Sequence, residues 1–197
     1  MFNDRSSTLT LLKTRRSGRP RDLVAPGPNP EELETILAVA MRAPDHGKLH
    51  PWRFVHVGHD RRDDFAALLG AAYRIDNPDP GRLEIEANDR FARQAPELIV
   101  ALSSPRLDHK IPVWEQQLSC GAACMNLVMA AHAMGYAAGW VTGWAAYSPA
   151  VLAAFGAPPE RIAGFIFLGT PGAELEERLR PEKDAVVSEW TPPEISA

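Results

Sequence analysis

Apolar residues recur along this chain either every three to four positions or in short continuous runs, and the two rhythms divide it into helices and strands. The three-to-four rhythm predicts helices over about residues 6–15, from Pro30 to just before Pro44, over about 60–73, 82–93 and 112–135, and from Ser148 to about Phe155. Asn29 can cap the second helix, with Pro30 at its first position and Glu31 and Glu32 complementing the dipole. Gly135 stops the long helix, and Ser148 caps the last one with Pro149 behind it. Runs rich in branched and aromatic residues predict strands in WRFVHVG, ELIVALSS, AAGWVTGW and IAGFIFLG. The segment RPRDLVAPGPNP holds too many prolines for either element and reads as a loop. Helices and strands interleave without strict alternation, which predicts one α+β domain with a mixed sheet packed on helices.

Composition narrows the class. A chain of 197 residues with 45% hydrophobic and 23% charged residues and a net charge of −4 fits one soluble domain and lacks the basic surplus of a nucleic-acid binder. The N-terminal stretch MFNDRSSTLTLLKTRR has an early acidic residue and no apolar core of the length a leader needs, so the expectation is a cytoplasmic protein. The most apolar run, CGAACMNLVMAAHAMGYAAGW, is interrupted by Asn126, His132 and three glycines, which predicts a buried helix and not a membrane span. Cys120 and Cys124 stand four apart on that helix, a spacing for neither a disulfide framework nor a four-ligand zinc site, and read as small core residues.

The long helix also bears on assembly. Gln116, Ser119, Ala123, Asn126 and Ala130 form a stripe of small and mildly polar residues, with Leu118, Met125 and Met129 on a neighbouring face. Two readings fit: a helix buried within one protomer, or a seam where the helix meets its symmetry mate.

Two stretches carry candidate chemistry. RRSGRPR, residues 15–21, sets four arginines and a serine at a helix end, suited to a phosphate group or simply to the negative end of the helix dipole. MRAPDHGKLHPWRF crowds Asp45, His46, Lys48 and His50 into one turn. His46 and His50 in a turn and His56 in a strand make a poor metal set. The chain has no Walker loop, no G-x-G-x-x-G after a strand, no G-x-S-x-G and no H-E-x-x-H, which argues against a nucleotide hydrolase, a Rossmann dehydrogenase, a serine esterase and a zincin.

The order of RRS, MRAPDHGKLHPWRFVHV, PVWEQQLSCGAACMNLVMAAHAMGYAAGWVTG and FIFLGTP resembles the nitroreductase family, in particular its short subgroup with RAPDH followed by PW, over about residues 8–171. The resemblance implies an FMN-dependent oxidoreductase with a central, mainly antiparallel mixed sheet flanked by helices, assembled as an intertwined homodimer with two flavin sites at the interface. It implies that Arg15, Arg16 and Ser17 hold the FMN phosphate and ribityl chain, that Arg42 and His46 make a second flavin-contacting segment, and that Trp140, Val141 and Thr142 run along the isoalloxazine ring. NADH or NADPH would reduce the flavin at N5, and a nitroaromatic or quinone-type small molecule would then reoxidise it in a ping-pong cycle needing no protein nucleophile. Residues 172–197 would form a C-terminal arm in which Arg178 and Arg180 occur in a setting like that of a basic tail residue reaching the phosphate in relatives. The same scaffold could instead serve another redox reaction, or bind flavin without turnover.

Overall fold

The computed structural model describes residues 2–193. Its elements follow in the order α1 (Thr8–Thr14), β1 (Leu23–Val24), α2 (Pro30–Ala40), β2 (Trp52–Val57), α3 (Arg62–Asp76), α4 (Arg82–Ala92), β3 (Glu97–Ser103), α5 (Val113–Ala133), β4 (Ala137–Val141), α6 (Trp144–Tyr147), α7 (Pro149–Leu152), β5 (Arg161–Pro171) and α8 (Lys183–Val186). The caps lie where their chemistry requires. Asn29 accepts from Glu32 N while Glu32 returns a bond to Asn29 N, Ser148 accepts from Val151 N, and Gly135 adopts φ +100° just beyond α5.

β5 is the centre of the sheet, pairing antiparallel with β3, β4 and β1, while β2 adds to the far edge of β3. The mainly antiparallel sheet expected from the resemblance is thus antiparallel at each described pairing. Alternate residues of the two inner strands divide the core. Leu98, Val100, Phe165 and Phe167 face α3, α4, α6 and α7, whereas Ile99, Ala101, Ile166 and Leu168 face α2 and α5. All eight are fully buried, which explains why β3 and β5 read as continuous apolar runs: helices cover both faces. The half-buried Phe91 of α4 meets Phe165 and Phe167 edge-on, with centroids 5.4 and 5.2 Å apart, and full burial of Phe165 and Phe167 contributes roughly 1.5–3 kcal/mol each.

The proline-rich segment departs from the loop expected of it. Pro20–Asp22 forms a 3-10 turn, and Leu23 and Val24, free of proline between Pro20 and Pro26, pair with Pro171 and Thr170 as β1. Two residues are too few to show a period. β4 is also shorter than AAGWVTGW suggests, because Gly143 at φ +142° turns the chain into α6, where Trp144 donates to Asn88 Oδ1 at 2.9 Å.

The stripe on α5 lies inside the protomer. Gln116, Ser119, Ala123 and Ala130 are buried; Gln116 accepts from Arg106 N and donates to the carbonyls of Arg106 and Ile111, and Ser119 donates to Pro44 O. The face left open carries Trp114, Leu118 and Met125, each more than a third exposed. At its middle a Cβ on Gly121 would meet nothing within 4 Å. Cys120 and Cys124 are free and buried among the core residues of α5, as their spacing suggested.

Candidate functional site

RRS follows α1 directly, with Arg15 as its C-cap in extended conformation. Close backbone contact then lays the segment along β4: Gly18 N donates to Ala138 O at 3.1 Å, and a Cβ on Gly139 would lie 2.5 Å from Gly18 O. Only glycine at 139 permits that approach. The first and third expected segments, RRS and WVT, are therefore neighbours.

Within RRS the two arginines have different surroundings. Arg15 Nη1 donates to Ser17 Oγ at 3.1 Å, and burial, together with the nearby Arg180, Arg16 and Arg178 charges, depresses its pKa below the ordinary guanidinium value. Arg16 is committed elsewhere: Nη1 donates to Lys13 O and Arg15 O, Nη2 pairs with Glu177, and the guanidinium stacks 4.7 Å from the Phe2 ring centroid. Ser17, Gly18, Arg19, Leu175 and Arg178 help to line a cavity of about 100 Å³. Arg178 and Arg180, which sequence register left unassigned, thus come to the mouth of RRS.

The WVT strand is fixed by a bulge. Between Ala101 and Leu102 the register on β5 slips past Ala163, and the indole Nε1 of Trp140 donates to Ala163 O at 3.1 Å. Gly164, at φ +154°, has no Cβ to collide with that indole. Trp140 and Thr142 are exposed and Val141 is half-buried, so this end of the strand is open to solvent.

The second expected segment lies elsewhere in the protomer. Arg42 follows α2, is exposed, and has no side-chain partner among the described residues. His46 Nδ1 lies 2.8 Å from Glu115 Oε2 near the start of α5. Asp45 builds the polar turn: its carboxylate accepts from Leu49 N at 3.0 Å and His50 N at 2.9 Å, holding Gly47, Lys48 and His50 at φ +79°, +54° and +50°. His46, His50 and His56 go to three different carboxylates, those of Glu115, Asp45 and Glu97.

α2 runs antiparallel to α5, since Tyr136 beyond the end of α5 donates to Glu32, and Ser119 near its start donates to Pro44 O. RRS sits at the His132 end, where the Arg15 charge acts on that imidazole. His46 sits at the Glu115 end, about 25 Å away along the helix at 1.5 Å per residue. One protomer does not bring its two cationic segments together.

His132, the polar interruption in AAHAMG, lies in the core near the RRS end of α5. It is fully buried, neither ring nitrogen has a partner among the described residues, and its pKa is lowered to about 4, first by burial and then by Arg15.

Residues 12–170 match the profile described as Nitroreductase family. The chain is 39% identical over 183 residues, 90% of its length and 97% of the relative's, to a Haemophilus influenzae protein named "Putative NAD(P)H nitroreductase". The fold is shared with the crystal structure of a nitroreductase-like family protein from Bacillus cereus, with a TM-score of 0.77, 20% identity and coverage of 93% of this chain and 96% of that one. It is shared likewise with a nitroreductase with bound FMN from Bacteroides fragilis, with a TM-score of 0.68, 21% identity and coverage of 92% and 98%. With the motifs in their expected order on this sheet and most of the chain matched, the protein belongs to the nitroreductase family.

Proposed function

We propose that the chain is an FMN-dependent oxidoreductase that draws electrons from NADH or NADPH and delivers them to small nitroaromatic or quinone-type acceptors in a ping-pong cycle, working as a homodimer in the cytoplasm. The observation that carries this reading is an arginine cluster: the Arg15 and Arg178 side chains have no carboxylate paired to them among the described residues, and they flank Ser17 beside the end of β4, although Asp22, Glu174 and Glu176 also line the cavity. Such a cluster fits a phosphate monoester, which the fork of a guanidinium holds well.

Each residue then has a task. Arg15 and Arg178 neutralise the phosphate and Ser17 adds a hydroxyl, while Arg16 anchors the loop that carries them. Trp140, Val141 and Thr142 offer backbone and an indole immobilised on Ala163 O as a wall for a flat ring. When bound, the flavin accepts hydride equivalents from the nicotinamide and passes them to the acceptor. Arg42 and His46 of a second copy complete the site, supplying cations that one protomer keeps at the other end of α5. The open face of Trp114, Leu118, Gly121 and Met125 is where that copy packs, because glycine within a helix costs about 1 kcal/mol against alanine unless a close neighbour needs the space.

The test is to denature the purified protein and identify what it releases. FMN in about one copy per chain supports the reading, and protein that neither retains nor takes up FMN contradicts it.

A further inference from the structure

The tail beyond β5 has almost nothing apolar to hold it. Residues 172–180 are exposed apart from the half-buried Leu175, and Leu179 projects wholly into solvent. Its anchors are polar. Gly172 N donates to Asp22 O at 2.7 Å, Glu176 pairs with Arg19, and Glu177 pairs with Arg16.

Glu177 is the hub among these. One carboxylate oxygen engages Arg16, whose side chain is only 11% exposed; the other lies 3.4 Å from Arg180 Nη2 and accepts from Arg178 N at 2.9 Å. Because Arg16 is shielded, removing Glu177 leaves a cation poorly reached by water, a larger loss than breaking a fully exposed pair, which contributes only about 0–1 kcal/mol. Glu177 therefore fixes the tail at the residue next to Arg178, and Arg178 lines the same cavity as Ser17 and Gly18. Its own charge is balanced by Arg16 and Arg180, so it does not pair with the side chain of Arg178, which lines the cavity beside Asp22, Glu174 and Glu176, while Arg15 reaches the rim through its bond to Ser17 Oγ.

We infer that Glu177 is a positioning residue for the anion site: tied to Arg16, it holds the tail so that Arg178 joins Arg15 and Ser17 around the phosphate of the cofactor. This assigns Arg16 a role through Glu177 and not on the phosphate itself. The inference rests on the FMN reading above. Without the tie, four like charges (Arg15, Arg16, Arg178 and Arg180) repel one another, and the exposed tail drifts off.

The experiment is a double-mutant cycle on FMN affinity, read by quenching of flavin fluorescence, with the full chain stripped of flavin and retitrated. Glu177→Gln should weaken FMN binding about tenfold or more, and Arg178→Ala by a similar factor. The double variant should be no weaker than Arg178→Ala alone, because Glu177 acts through that arginine. Glu177→Asp, which keeps the charge, should recover much of the affinity. Thermal midpoints of all variants within a degree or two of wild type establish that folding is intact.

Unchanged or tighter FMN binding in Glu177→Gln overturns the inference, the latter by making Glu177 a competitor of the phosphate. Additive losses in the double variant also overturn it. Wild-type protein that binds no FMN overturns the cofactor reading itself, whereas binding by wild type with an unaffected Glu177→Gln overturns only the role of Glu177.

Discussion

Acidification should destabilise the chain through His132. The imidazole has a pKa of about 4 in the fold against 6.5 in the unfolded chain, so over that window the unfolded state takes up a proton that the folded state refuses. The contribution of His132 to stability is intact above about pH 6.5, declines as the pH falls, and levels off below about 4. A gap of about 2.5 units at 1.36 kcal/mol per unit amounts to about 3 kcal/mol, a large part of the 5–15 kcal/mol that holds a typical domain together. Neither ring nitrogen makes a well-formed hydrogen bond among the described residues, with only a weak approach to the Tyr136 backbone, so His132→Leu removes the titration at little cost in hydrogen bonding. Urea unfolding of flavin-free wild type and His132→Leu, at one protein concentration and at several values between about pH 7.5 and 4.5, isolates the effect because the carboxylates titrate alike in both. The stability difference should move by roughly 2–3 kcal/mol toward the variant across that range. A difference that stays constant with pH would refute a neutral, buried His132.

Arg62 is a buried cation that donates to four carbonyls, those of Val57, Ala92, Gln94 and Pro96, at 2.9–3.3 Å; Arg62→Met should cost about 3–5 kcal/mol in a thermal or urea melt, and a loss under about 1 would show that the carbonyls find water instead. Arg15→Ala should weaken FMN binding by about tenfold to a hundredfold, the worth of one charged hydrogen bond, while equal flavin retention after dialysis would remove it from the phosphate site. Gly121→Trp has room in the protomer, so it should leave the chain folded but monomeric in sedimentation; an intact dimer would take this face out of the interface.

What the sequence disclosed and what it concealed follow from range. Caps, stops and short apolar runs are local, so Asn29, Ser148 and Gly135 were legible from neighbours a few positions away. The active face of α5 was not, because a helix apolar nearly all round has no polar side to orient it, and Gln116 and Ser119 look like surface residues until the carbonyls of Arg106, Ile111 and Pro44 arrive. The resemblance named RRS, RAPDH and WVT as one site; distance along α5 divides them between its two ends, and two glycines, Gly18 and Gly139, join the first to the third. The crowded turn of MRAPDHGKLHPW turned out to be Asp45 holding a left-handed backbone, with His46 turned to Glu115. Arg178 and Arg180 stood out in the sequence as candidate tail cations without a fixed register, but Glu177 was invisible as the partner of Arg16, since more than 160 residues separate the two and charge alone gives no register.

The central claim is that this arginine-flanked strand binds a redox-active flavin fed by a pyridine nucleotide. Purified protein, loaded with FMN and kept free of oxygen, should show the absorbance of oxidised flavin, lose it on addition of NADH or NADPH, and regain it when a nitroaromatic or a quinone is added. Flavin that stays oxidised with both donors would contradict the claim and leave a flavin-binding protein without this activity.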